Sequence, residues 1–128
     1  MKTIVQKILM AIVALTILNV WLLRFGQASI YRGGAATDML SEFSAYGLSA
    51  NMMYAVGAIK VIAALTLLAG FRFPKLITPA LITISLFMSA AIYFHFSIND
   101  ALIKSLPAAL LLLGSLLLLY LQRSSQAP

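Results

Sequence analysis

Lys60 stands inside "YAVGAIKVIAALTLLAG", residues 54–70, a run that is otherwise almost wholly apolar. Eight or nine residues into a helix, it lies about 12–13 Å deep at about 1.5 Å per residue. That is close to the midplane of a hydrocarbon layer about 30 Å thick. A charged lysine at that depth costs about 2.5–3.5 kcal/mol on insertion scales, so it faces a bundle interior or a wet cavity. Its side chain leans toward the N-terminal end of its helix, the end where this chain has its acids. The candidate partners are Asp38, Glu42, His95 and Asn19.

Other residues could do chemistry beside it. Asp38 and Glu42 share one helical face at a spacing of four, and Asp100 and Lys104 repeat that spacing and can pair. His95, the single histidine, could serve as a base; at a span end it equally fits an interfacial residue. Lys60, His95, Asp38, Glu42, Asn19, Asp100 and Lys104 together define a candidate polar pocket, with Tyr54, Met88, Phe94 and Leu106 as apolar wall. It could hold the polar end of an amphipathic molecule, or its charges could simply fix the helices to one another. Asp100 or Asn99 is placed to cap the last helix. Arg24 and Arg32 read as headgroup anchors. With no nucleophile or cofactor motif nearby, no catalytic residue is assigned. One histidine and no cysteine give too few ligands for a metal site.

The elements that must position these residues follow from composition. The chain has 128 residues, 62% of them hydrophobic and 9% charged, with a mean hydropathy of +1.02. A soluble fold of this length cannot hide so much apolar surface. Four runs of span length occur, at about 3–23, 52–70, 76–96 and 101–121. The expectation is an all-α integral membrane protein, a single domain over 1–128, built as an antiparallel bundle of four transmembrane helices. Short connections, "FRFPK" and "SIND", force antiparallel neighbours. Only the first connection is long enough for structure of its own. There Thr37 or Asp38 can cap a short amphipathic helix carrying Met39, Leu40, Phe43 and Tyr46, and Gly47 can stop it.

The net charge of +6 sits at span ends and forms no basic stripe, which excludes nucleic acid as a partner. Lys2, Lys7, Arg72, Lys75 and Arg123 fall on one side, which puts both termini in the cytoplasm of a plasma (inner) membrane protein. The first span resembles a signal peptide, but its length and Arg24 favour a retained helix. Without cysteine the chain has no thiol or disulfide chemistry.

Four stretches, "EFSAYGLS", "VGAIKVIAALTLLAG", "PALITISLFMSAAIYFHFSIND" and "SLPAALLLL", resemble the DoxX-like family of small four-span membrane proteins. The order and spacing of Gly57, Lys60, Pro79, Ala90, His95, Asp100 and Pro107 carry the likeness. The resemblance implies a four-helix membrane bundle. In the broader group it implies links to redox assemblies, including quinone-coupled oxidation of sulfur compounds, or to membrane-protein assembly. Many DoxX relatives have an acid where this chain has Lys60, so an acid-dependent role does not transfer.

Three functions fit these residues. The first is a non-catalytic subunit that binds a quinone or lipid in the outer-half pocket, with no intrinsic cofactor and with a membrane protein partner or a second copy. The second is a scaffold without a ligand. The third, a small transporter, lacks the acidic coupling group that proton exchange needs.

Overall fold

The computed structural model describes residues 3–126; Lys2 lies outside them. The described chain is all helical. α1 (Ile4–Leu18) continues through a π-helical turn, Asn19–Leu23, and α2 (Met39–Ala45) lies in the long connection. α3 (Ala50–Ala69), α4 (Ile77–Ser97) and α5 (Leu106–Gln126) complete the bundle, the last two each preceded by a 3-10 turn. Four helical stretches, Ile4–Leu23, Ala50–Ala69, Pro74–Ser97 and Leu102–Arg123, are long and apolar enough to cross a membrane.

The spans pack as a ring in which α1 meets α3, α3 meets α4, α4 meets α5 and α5 returns to α1. Small and flexible side chains fill the interior: Met10, Val13 and Ala14 of α1, Met53, Ala64 and Leu67 of α3, and Leu81 and Ile84 of α4 are buried. The outward faces are also apolar, with Ile8, Ile12, Ile62, Leu86 and Leu113 exposed. A helix hydrophobic all round is a membrane helix: lipid, not water, meets the outer face, and intrahelical bonds satisfy the backbone.

The ends of the elements are set by local chemistry. Asp38 accepts the Ser41 N–H at 2.8 Å, capping α2 at its start. At the other end Gly47 takes φ +80 and the Leu48 N–H reaches back to the Phe43 carbonyl. α4 stops the same way with Asn99 at φ +58, and the Asp100 N–H bonds the His95 carbonyl. This corrects the expected role of "SIND": neither Asn99 nor Asp100 caps the last helix, since the 3-10 turn Leu102–Ser105 starts after Ala101 without a side-chain cap. Pro107 falls in the first turn of α5, where a missing N–H costs nothing.

Candidate functional site

At the end of the bundle that carries α2, the four spans splay around a cavity of about 570 Å³. Its walls are mostly apolar, with Ile17 from α1, Val56 from α3, Phe87 and Met88 from α4, and Leu111 from α5. Met39, Glu42, Phe43 and Tyr46 of the α2 segment close it over.

Lys60 forms the floor. Its partner is aromatic rather than acidic: Nζ lies 5.5 Å from the centre of the Trp21 ring, a cation–π distance. The π-helical turn brings Trp21 there, with the Arg24 N–H bonded to the Asn19 carbonyl at 2.9 Å. Gly57, one helical turn before Lys60, leaves the room that the indole occupies. Among the described residues no carboxylate oxygen lies within 4.0 Å of the Lys60 ammonium.

The acids expected to meet Lys60 are held elsewhere. Glu42 gives Oε1 to Arg32 Nη1 at 2.9 Å, and its Oε2 accepts from the Gly33 N–H at 2.9 Å and the Tyr46 hydroxyl at 2.8 Å. Asp38 faces Ser41, whose hydroxyl and N–H hold its half-buried carboxyl below the usual range. Asp38 and Asn19 take no part in the cavity wall, and Asn19 is exposed.

Arg32 also departs from expectation. It is buried, not a headgroup anchor: its guanidinium donates to the carbonyls of Arg24, Phe25 and Gln27 as well as to Glu42. Carbonyls past the end of the first span have no intrahelical partner, and a planar five-donor group reaches several at once, beside the Gln27 and Met39 N–H groups that already meet Arg24 and Phe25. Arg24 stays exposed and bonds the Ala28 carbonyl.

A second polar chain runs from α2 to the α4–α5 turn. The Tyr46 hydroxyl lies 3.3 Å from each ring nitrogen of His95, and His95 Nδ1 lies 2.6 Å from Asp100 Oδ2. Asp100 Oδ1 accepts the Gly34 N–H at 3.0 Å, while Lys104 donates to the Gly34 carbonyl and stands 3.8 Å from Asp100. Both positions favour glycine: a side chain at Gly33 would strike the Tyr46 ring, and Gly34 has φ +57, a backbone conformation strained for most side chains. Withdrawal from water would raise the Asp100 carboxyl, but the His95 and Gly34 hydrogen bonds and the His95 and Lys104 charges outweigh it and hold the group low. Burial, then the charge and hydrogen bond of Glu42, push the Tyr46 hydroxyl far up, so it stays a donor.

The fold therefore brings Lys60, Glu42, His95 and Lys104 onto one cavity, with Asp100 directly behind His95. Of the expected apolar wall, Met88 and Phe94 line it, whereas Tyr54 is exposed and outside it, and Leu106 lines a neighbouring groove. Trp21, Arg32 and Tyr46 are the residues that sequence reasoning missed as parts of the site. Tyr46 carried a signal, since it follows Glu42 by four on one helix; nothing in the sequence pairs Trp21 with Lys60.

Fold and composition define a multi-pass membrane protein of four spans. A sequence model of the DoxX-like family matches residues 8–118, and the chain belongs to that family. Comparison with curated proteins and with solved structures gives no match.

Proposed function

We propose that this protein is a non-catalytic membrane subunit that binds an amphipathic ligand, a quinone or a lipid, in the cavity above Lys60. The observation that carries this reading is an apolar cavity of about 570 Å³ with an ammonium at its floor and, among the described residues, no carboxylate within 4.0 Å of it. Volumes of roughly 300–1,000 Å³ with a few convergent polar groups are typical of small-molecule sites. Buried charges are ordinarily paired, and the Trp21 ring supplies only part of what water would. A role in a redox assembly requires a partner chain, because no residue here carries electrons. Lys7, Arg72, Lys75 and Arg123 lie toward the end away from α2, which supports cytoplasmic termini in a plasma membrane and an outward-facing cavity.

The test is mass spectrometry of extracts from purified protein. Wild type should carry a stoichiometric amphiphile that Lys60→Met loses while remaining folded. Bare wild type, or an unchanged ligand in the variant, would refute the reading. A second reading, a scaffold without a ligand, draws support from the Arg32–Glu42–Tyr46–His95–Asp100 network, which satisfies its own charges. It predicts a stoichiometric protein partner from native membranes.

A further inference from the structure

A second groove, of about 390 Å³, follows the seam between α1 and α5, with Leu9, Ile12, Thr16, Leu106 and Leu110 along it. It shares Tyr31, Pro107 and Leu111 with the central cavity, so these three side chains are the partition between the two. This seam is the most sparsely packed of the four in the ring. Ile12, Leu106 and Leu110 are exposed on the outside of the bundle, where the acyl chains of a bilayer would lie. The groove therefore lies directly outside the central cavity, apolar along nearly its whole length and separated from it only by these three side chains.

The cavity's charge balance limits the head that can enter. Glu42 is the one carboxylate on its wall, and both its oxygens are engaged by Arg32, Gly33 and Tyr46. Asp100 balances Lys104, and Arg24 is exposed at the rim. Lys60 is left at the floor with the Trp21 face beside it, Glu42 acting on it only from a distance and, among the described residues, no carboxylate within 4.0 Å. A neutral head would leave it so, and an anion would complete it. One ammonium matches one negative charge, and the other cations on the wall are engaged: Arg24 donates to the Ala28 carbonyl, Arg32 to Glu42 and Lys104 to the Gly34 carbonyl.

We infer that the ligand is a single-chain amphiphile with a carboxylate head, seated with the head on Lys60 and its chain leaving between α1 and α5 past Pro107 and Leu111. The inference rests on the ligand-binding reading above and narrows it. It also gives the groove a use: lateral entry from the bilayer without passage through the α2 cover.

The experiment measures binding of radiolabelled oleate to purified protein, with oleyl alcohol, hexanoate and phosphatidylglycerol as competitors. Thermal unfolding confirms that each variant is folded. On wild type, oleate should bind about tenfold or more tightly than oleyl alcohol, as a charge-assisted contact would give. Lys60→Met should abolish that preference and Lys60→Arg should keep it. Thr16→Phe, which fills the groove without touching the cavity, should weaken oleate about fivefold or more and leave hexanoate unchanged. The inference is overturned if the alcohol binds as well as the acid, if phosphatidylglycerol outcompetes oleate, or if Thr16→Phe leaves oleate affinity intact. Tight binding of the alcohol would leave a neutral-ligand reading standing, whereas failure of every amphiphile to bind would take the ligand-binding reading down as well.

Discussion

The six-membered ring of Trp21 lies directly against Gly57, so that a Cβ on that glycine would stand 2.5 Å from Cζ3 and 2.6 Å from Cε3. The absence of a side chain on α3 is thus what lets α1 deliver an aromatic face to Lys60. Gly57→Ala must displace the indole, and overpacking of this kind costs about 1–3 kcal/mol. Trp21 is the single tryptophan of the chain, so the expected outcome has a direct readout: lower thermal stability accompanied by a shift in intrinsic emission. An unchanged emission maximum in the variant would mean that the ring is not held there.

Arg32 ties the end of the first span to α2 through three backbone carbonyls and Glu42. Its side chain is 7% exposed and that of Glu42 13%. Removing one partner of a buried ion pair costs about 3–5 kcal/mol, because the other charge is left uncompensated. Arg32→Lys keeps the charge but not the planar fork, and it should not rescue the fold of the loop. Hydrogen exchange is expected to rise across residues 24–48 in both Arg32→Lys and Arg32→Met, with α4 and the middle of α5 unchanged. Protection in Arg32→Lys equal to wild type would show that charge alone suffices.

These two relationships mark where sequence reading stops. The four spans were legible because each helix must be apolar along its whole length to satisfy a bilayer, a property written in consecutive residues. The short helix was legible from Asp38, Phe43 and Gly47, because caps and stops act within a few residues of themselves. The surroundings of Lys60 were not, because they depend on how α1 rotates against α3. That rotation is set by the π-helical turn at Asn19–Leu23, which the sequence does not mark. Arg32 was misread for a related reason. A loop arginine in a membrane protein ordinarily meets headgroups, and its burial here follows from carbonyls that only the folded end of α1 presents. Asp100 looked like a helix cap by position, but the Gly33-Gly34 turn folds across to claim it.

Asp100 supplies the pH dependence. Its carboxyl is held below its ordinary value in the fold, so its protonated form is the one that favours unfolding. The stability it contributes is present above the unfolded carboxylate value, about 3.9, and is lost as pH falls through the lower folded value. Wild type should therefore lose stability on acidification below about pH 4. Asp100→Asn should be less stable at neutral pH and show a shallower acid limb, with Asp38 retaining part of the slope because its carboxyl is also held low. Melting curves between neutral and strongly acidic pH would check this. An acid limb as steep in Asp100→Asn as in wild type would assign the effect to another group.

The proposed orientation can be tested without disturbing any of these contacts, because the chain has no cysteine of its own. Single cysteines at Ala35, exposed in the α2 connection, and at Lys75, exposed in the turn between α3 and α4, lie at opposite ends of the bundle. The positively charged end of a four-span protein faces the cytoplasm because Lys and Arg are retained there during insertion. A membrane-impermeant maleimide added to intact cells should label Ala35→Cys and spare Lys75→Cys, and permeabilisation should expose both. The reverse pattern would turn the cavity toward the cytoplasm. A carboxylate amphiphile would then have to enter the seam from the inner leaflet, although the Lys60 site and its partition at Pro107 and Leu111 would be unchanged.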